Sequence, residues 1–145
     1  MNLLYEQIKS LTENEKDLIA NLSNISACLN QNLDNINWVG FYIMKNNELV
    51  LGPFQGKPAC IRIPVGKGVC GTCVQTKAIQ RVEDVHKFPG HIACDGASNS
   101  EIVLPIFKKE EVVAVLDIDS PIFNRFSFED ETILKEVADY IGGLF

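Results

Sequence analysis

The sequence lacks the segments that carry a protein into or across a membrane. No apolar run approaches the roughly 20 residues that a membrane helix needs. The N-terminus, residues 1–7, has no basic flank followed by an apolar block and does not resemble a signal peptide. We therefore expect a cytoplasmic protein that makes no membrane contact.

Clustered positive charge is also lacking. The chain has 13 Lys and Arg residues against 19 Asp and Glu residues, and its formal net charge is −6. The basic residues are scattered, whereas proteins that bind nucleic acid cluster their Lys and Arg side chains. This distribution argues against a nucleic-acid partner.

Repeats, low-complexity tracts and linkers are absent too, so we expect one domain over residues 1–145. A chain of this length can bury a single sizeable core without covalent staples. Its hydrophobic content of 46% and charged content of 22% are those of an ordinary globular protein.

Helical periodicity occupies the two ends of the chain. Residues 1–33 predict helix, in one or two pieces, with an apolar stripe at Leu18, Leu22, Ile25 and Leu29. Residues 12–15 have the spacing of a capping box, which predicts the start of a second piece. Residues 127–130 have the same spacing and predict the start of a final helix, which ends at residues 142–143.

Alternating patterns between these helices predict two hairpins. The first joins residues 38–44 to 48–51, and the second joins residues 101–107 to 111–120. Between the hairpins we expect a short strand at residues 60–63 and a short helix at residues 70–74. The order of the elements predicts an α+β domain, with terminal helices packed on a mainly antiparallel sheet.

The first predicted strand carries two aromatic side chains on one face. Trp38 and Tyr42 flank Gly40 there, because side chains two residues apart point to the same side of a strand. Two aromatics separated by a glycine suit a small cavity, or alternatively a core in which both polar tips find partners.

Three carboxylates come together on the second hairpin. Asp117 and Asp119 share one face of its second strand, and Glu101 lies at the start of the partner strand. Carboxylates on a buried face are costly unless they are paired, protonated or functional. Both a functional site and a strand end that emerges into solvent fit this pattern.

Four of the five cysteines fall between residues 60 and 101, namely Cys60, Cys70, Cys73 and Cys94. Such a group indicates disulfide staples, a metal site or redox chemistry. An odd number of cysteines in a reducing compartment disfavours staples.

A zinc site has the right spacing but the wrong local structure. Cys70, Cys73, His86 and His91 are spaced C-x2-C-x12-H-x4-H. A zinc finger holds both histidines on one helix, however, and the Pro-Gly pair at residues 89–90 breaks any helix between them. We therefore predict no metal ion.

Redox chemistry fits the cysteines better. Cys94 precedes a polar turn, residues 95–98, whose backbone N–H groups could bind an anion. Cys70 falls at a predicted helix N-terminus, where the helix dipole favours a thiolate. A nucleophilic cysteine and a second that resolves its sulfenic acid complete a minimal cycle. Alternatively, free cysteines serve as small apolar core residues.

Five stretches carry a family resemblance: WVGFY at 38–42, PVGKGVCGT at 64–72, HIACD at 91–95, ASNSEIV at 97–103 and LDIDS at 116–120. They resemble the GAF-fold free methionine-(R)-sulfoxide reductases, and the resemblance covers nearly the whole chain. The most specific feature is the trio of Cys60, Cys70 and Cys94 at intervals of 10 and 24 residues. Ordinary GAF sensor domains share the fold without this trio.

The resemblance implies a single GAF-like domain with a six-stranded sheet, a closed pocket and a homodimer. It implies Cys94 as the catalytic cysteine, Cys60 as the resolving cysteine, and Cys70 as a third that can form an alternative disulfide with Cys94. The implied substrate-binding residues are Trp38, Tyr42, Glu101, Asp117 and Asp119. Free methionine sulfoxide is the implied substrate and thioredoxin the implied reductant, with no metal or organic cofactor.

The expected mechanism begins with attack of the Cys94 thiolate on the sulfoxide sulfur. Three carboxylates in one small pocket cannot all ionise cheaply, so one of them should hold the proton that the departing oxygen needs. An ionised neighbour would bind the substrate ammonium. The alternative function is a GAF regulatory module that binds a small ligand and senses redox state without turnover.

Overall fold

The computed structural model describes residues 2–91 and 96–145, and this part contains four α-helices and six strands. The helices are α1 (Leu3–Thr12), α2 (Leu18–Asn32), α3 (Gly68–Thr76) and α4 (Phe128–Gly142). The strands are β1 (Trp38–Lys45), β2 (Glu48–Gly56), β3 (Arg62–Pro64), β4 (Gln80–Val82), β5 (Ser100–Lys108) and β6 (Glu111–Ser120). A short 3-10 helix spans Val85–Lys87.

The strands form one antiparallel sheet in the order β3-β2-β1-β6-β5-β4. Both predicted hairpins are confirmed, as β1–β2 and β5–β6, and pairing of β1 with β6 joins them at the centre of the sheet. Trp38 lies opposite Asp119 in that central pair, and Asp119 lies opposite Glu101 in the next. The predicted α+β class with a six-stranded sheet is therefore confirmed.

One face of the sheet, the helical face, carries the terminal helices. Helices α1, α2 and α4 pack there against fully buried side chains such as Phe41 on β1, Ile102 on β5 and Leu116 on β6. The opposite face, called the cavity face because it holds the cavity described below, is covered by α3 and by the segment between β2 and α3. Trp38 and Tyr42 point to this second face, as the alternation along β1 predicted.

The second helix begins later than its capping box predicted. Its N-cap is Asp17, whose side chain accepts from the Ala20 N–H at 2.9 Å. Thr12 is instead the last residue of α1, and its hydroxyl hydrogen-bonds both the Ile8 carbonyl and the Tyr140 hydroxyl. The predicted capping box at residues 127–130 is present, with Ser127 as the N-cap of α4.

The strands of the middle region also differ from their predicted bounds. β2 runs on to Gly56 rather than ending at residue 51, and β3 begins at Arg62 rather than at residue 60. The edge strand β4 was not predicted, since its three residues are too short to show an alternating pattern. Gly40 permits the long β2, because a side chain at that position would collide with Phe54.

Within the described part of the chain, no helix is both long enough and apolar enough to span a membrane.

Candidate active site

A cavity of about 50 Å³ lies on the sheet face opposite the terminal helices. That volume is several times what one water molecule requires, so the cavity admits part of a small ligand. Among the predicted site residues it is lined by Trp38, Tyr42, Cys70, Glu101, Asp117 and Asp119. Cys60 lies beside it, and Cys94 lies outside the described residues.

An aromatic wall closes one side of the cavity. The Trp38 ring makes a stacked pair with Tyr42, with 6.0 Å between ring centroids, and another with Phe54, with 5.1 Å between ring centroids. Its indole N–H donates to the Lys57 carbonyl at 3.1 Å, and the Tyr42 hydroxyl donates to the Cys60 carbonyl at 2.8 Å. Both polar tips have backbone carbonyl partners, so Trp38 and Tyr42 offer apolar ring surface rather than free donors to the cavity that they line.

The strand pairing gathers the three carboxylates on the cavity floor. Glu101 and Asp117 are only 6% and 5% exposed, and Asp119 is half-buried. Burial raises the pKa of Glu101 well above its ordinary value, and the charges of Asp117 and Asp119 raise it further. Burial also raises the pKa of Asp117, but hydrogen bonds from Glu101 and Cys70 oppose that rise. Glu101 is therefore the carboxyl best suited to hold a proton.

Asp117 has one bound and one free oxygen. Its Oδ2 accepts a hydrogen bond from the Cys70 thiol, with 3.4 Å between sulfur and oxygen. Its Oδ1 is buried and has no hydrogen-bond partner among the described residues. Unpaired buried carboxylate oxygens are costly, so this atom is ready for a donor supplied by a ligand.

The N-terminus of α3 brings a complementary positive end to the same cavity. Lys67, the N-cap residue, lines the cavity together with Gly68 and Val69 of the first turn. No side chain caps the helix there, and the first N–H groups of a helix lack partners within it. These donors, the helix dipole and the Lys67 ammonium all favour an anion.

Sequence reasoning missed this anion-binding end, although a signal was present. The glycine-rich segment at residues 64–68 lacks the spacing of a phosphate loop, so its sequence alone does not indicate an anion site. Gly66 and Gly68 have φ angles of +87° and +63°, so the segment makes a left-handed turn that glycine favours. That turn leads the chain into α3 with its uncapped N-terminus at the cavity.

The predicted activation of Cys70 by the helix N-terminus is wrong. Cys70 is the third residue of α3, but burial raises its thiol pKa well above the ordinary value, and Asp117, Glu101 and Asp119 raise it further. A nearby dipole cannot offset burial beside three acidic groups. Cys73, one turn later, has a pKa raised to about 12 by burial and by Asp117.

The cysteines of the described region differ in redox state. Cys28, Cys70 and Cys73 carry free, buried thiols. Cys60 is disulfide-bonded and half-buried.

The residues with zinc-finger spacing do not converge. His86 hydrogen-bonds the Asn99 side chain at 2.9 Å, whereas His91 lines the cavity and has a pKa lowered by burial and by His86. Within the described ranges, the group whose ligand atoms lie within 4.8 Å of one another is Cys70, Glu101 and Asp117. A cation there would have to displace protons first, because all three pKa values are raised.

Comparison with known proteins agrees with this architecture. Residues 17–144 match the GAF domain family. The chain is 55% identical to the free methionine-R-sulfoxide reductase of Escherichia coli over 135 residues, which cover 93% of this chain and 82% of that protein.

Two solved structures, both described as complexes with substrate, have the same fold. One is an fRMsr of Staphylococcus aureus, 56% identical with a TM-score of 0.93, which covers 98% of this chain and 93% of that chain. The other is the free methionine-R-sulfoxide reductase of Neisseria meningitidis, 42% identical with a TM-score of 0.95, which covers 98% of this chain and 86% of that one. The chain therefore belongs to the GAF-domain family of free methionine-R-sulfoxide reductases.

Proposed function

We propose that this protein is an oxidoreductase that reduces free L-methionine-(R)-S-oxide to L-methionine. The observation that carries the proposal is one small cavity with an aromatic wall, buried carboxylates and an uncapped helix N-terminus beside a lysine. The (R) preference rests on the family to which the chain belongs.

The cavity suits a free amino acid because it offers partners for both charges of a zwitterion. The substrate ammonium binds Asp117 and Asp119, where Asp117 Oδ1 has room for a donor. The substrate carboxylate binds the first turn of α3 and Lys67, together with N–H groups of residues 96–98. A peptide bond on either side would remove these charges, so a methionine sulfoxide within a protein is a poor substrate.

Trp38 supplies the contact for the uncharged end of the substrate. The S-methyl group packs against its ring, which Tyr42 and Phe54 hold in place by stacking. The indole N–H of Trp38 and the hydroxyl of Tyr42 both donate to backbone carbonyls, so neither is free to bind the sulfoxide oxygen. The buried carboxyl groups are then the donors for that oxygen.

The chemistry begins when the Cys94 thiolate attacks the sulfoxide sulfur. Glu101 donates a proton to the sulfoxide oxygen, which suits a carboxyl whose pKa burial raises well above its ordinary value. The oxygen then transfers to the cysteine, and L-methionine leaves as Cys94 becomes a sulfenic acid. The thiol is thereby oxidised by two electrons and the sulfoxide reduced by two.

Cys60 then attacks the sulfenic sulfur, which expels water and forms a Cys60–Cys94 disulfide. Two observations support Cys60 over Cys70 in this role: Cys60 is half-buried and disulfide-bonded, whereas Cys70 is a buried free thiol with a raised pKa. A partly accessible disulfide can be reached by a dithiol protein. We include thioredoxin as that reductant, and a cytoplasmic homodimer as the working form, on the family resemblance alone.

A single-turnover assay without reductant tests the function. After the disulfide of Cys60 has been reduced and the reductant removed, the wild-type protein should form one methionine per active site while it loses two thiols, and Cys94→Ser should form none. Cys28→Ser is the matched control, because Cys28 lies on the helical face and should leave the yield unchanged. Binding of methionine sulfoxide without product would instead favour the regulatory module that senses redox state.

A further inference from the structure

We propose that Cys70 is a positioning residue, whose thiol holds Asp117 Oδ2 by a hydrogen bond and thereby leaves Oδ1 for the substrate ammonium. The inference rests on the proposed function, since it assigns a partner to the Asp117 oxygen that faces the ligand. It replaces the role of alternative resolving thiol that the family resemblance implies for Cys70.

The geometry makes Cys70 a donor to Asp117. Cys70 is 4% exposed, and its Sγ lies 3.4 Å from Asp117 Oδ2, a distance typical of a thiol that donates to oxygen. Both the Cys70 thiol and the Glu101 carboxyl favour the ionised form of Asp117 and so oppose the rise in its pKa that burial causes. The thiol therefore fixes the carboxylate plane from one side while Oδ1 stays without a partner among the described residues.

The same surroundings make Cys70 a poor redox thiol. A resolving cysteine attacks as the thiolate, which needs partial exposure and a positive neighbour. Cys70 is buried and faces Asp117, Glu101 and Asp119, all of which oppose a second negative charge. A thiol kept protonated by acidic neighbours is suited to donating a hydrogen bond rather than to nucleophilic attack.

Other titratable groups near Asp117 come from each element around the cavity. They are Glu101 on β5, Asp119 on β6, Tyr42 on β1, Lys67 before α3, and His91 in the segment that leads to β5. The test of Cys70 therefore compares a pair of variants at one constant pH.

Single-turnover kinetics of Cys70→Ala and Cys70→Ser distinguish a hydrogen-bond donor from a resolving thiol, because a single turnover requires no resolving thiol. Alanine removes the donor, so the substrate concentration for half-maximal rate should rise about tenfold to a hundredfold, as expected for a hydrogen bond to a charged group. Serine keeps a donor without redox capacity, so the rise should stay within about fivefold. Equal behaviour of the two variants would overturn the proposal.

Cys73 provides the matched control on the same helix. Its thiol is fully buried and donates to the Val103 carbonyl oxygen at 3.7 Å, and in the part of the chain that the structure describes it donates to no carboxylate. Cys73→Ala should lower thermal stability as much as Cys70→Ala does while leaving the half-maximal concentration unchanged. A matching rise in Cys73→Ala would mean that packing of α3, rather than the donor, sets the Cys70 effect.

Infrared spectroscopy of the S–H stretch tests the hydrogen bond without turnover. The band lost in Cys70→Ala should lie at lower frequency than the band lost in Cys73→Ala, because a carboxylate is a stronger acceptor than a carbonyl. Asp117→Asn should move the Cys70 band to higher frequency. A Cys70 band that does not move overturns the proposal, whereas absent turnover with a shifted band refutes only the proposed function.

Discussion

The two faces of the sheet are built from the same strands but serve different ends. On β5, Ile102 points to the terminal helices and is fully buried, whereas the preceding Glu101 points to the cavity. On β6, Ile118 points to the helices between Asp117 and Asp119, which point to the cavity. Alternation along a strand thus separates apolar packing from charged groups by a single residue.

The helical face stabilises the fold, whereas the cavity face destabilises it. The helical face buries mainly apolar side chains of β1, β5 and β6 against α1, α2 and α4. The cavity face buries acidic groups whose pKa values are raised, which is unfavourable to folding wherever they ionise. We infer that the helical face offsets this cost and lets the cavity keep its carboxylates.

Of the variants that compare the two faces, Glu101→Gln should have the largest effect. Glutamine preserves the shape of the side chain but cannot donate a proton as an acid, so turnover should fall by about 10² to 10⁴. Ile102→Val, the neighbour on the other face, should leave turnover unchanged and lower the free energy of unfolding by about 0.5–1.5 kcal/mol. Steady-state kinetics and urea unfolding of both variants measure this. Near-normal turnover of Glu101→Gln would exclude Glu101 as the acid.

The pH dependence of the wild-type protein belongs to the same test. Because the pKa of Glu101 is raised, the carboxyl is protonated and active below that value, and turnover should fall as pH rises through it. The stability that the protonated Glu101 carboxyl contributes changes with pH in the same direction. It is fully present below the pKa of glutamate in the unfolded chain, about 4.3, and is lost as pH rises through the raised pKa of Glu101 in the folded protein. Glu101→Gln should show neither this kinetic limb nor this part of the loss in melting temperature.

The fold could be predicted because its elements obey simple periods. The stripe from Leu18 to Leu29 and the alternation of β1 and β6 are patterns that burial imposes on sequence. β4 was not predicted because it forms by pairing with β5, and a segment of three residues is too short to show the alternating pattern of a strand. The start of α2 was misplaced because Thr12 and Asp17 both carry cap-forming side chains, and only tertiary contacts such as that of Thr12 with Tyr140 decide between them.

The candidate site was predicted in part. The cavity contacts of Trp38, Asp117 and Asp119 followed from strand faces, which depend on local geometry alone. The thiol state of Cys70 did not follow, because it depends on burial and on charges from other strands. The contribution of Lys67 was missed for a similar reason, since only the fold shows that the uncapped end of α3 meets the cavity.

Phe41→Ala and Tyr42→Phe compare the faces within one strand. Phe41 is fully buried on the helical face, so its truncation should lower the free energy of unfolding by about 3–5 kcal/mol. Tyr42→Phe removes the hydrogen bond to the Cys60 carbonyl and should lower it by only about 0.5–1.5 kcal/mol. Urea unfolding ranks the two variants. Equal losses would mean that the hydrogen bond of the Tyr42 hydroxyl stabilises the fold as much as the packing of the Phe41 ring does.

The smallest expected effect concerns the C-terminal end of α3, the helix that packs on the same face of the sheet as the cavity. Lys77 follows the helix with a φ angle of +55°, a left-handed conformation that is costly for any residue except glycine. Lys77→Gly should therefore raise the free energy of unfolding by about 0.5 kcal/mol, after the entropic cost of glycine is subtracted. Turnover should stay unchanged, because Lys77 is exposed and does not line the cavity.

Lys9→Gly on α1 is the control from the helical side. Lys9 is exposed within a regular helix, so glycine there should lower the free energy of unfolding by about 1 kcal/mol. Opposite signs for the two lysines would show that α3 retains local strain beside the cavity, whereas α1 is already at its preferred geometry. A loss of stability in Lys77→Gly comparable to that in Lys9→Gly would mean that the left-handed turn after α3 costs the fold nothing.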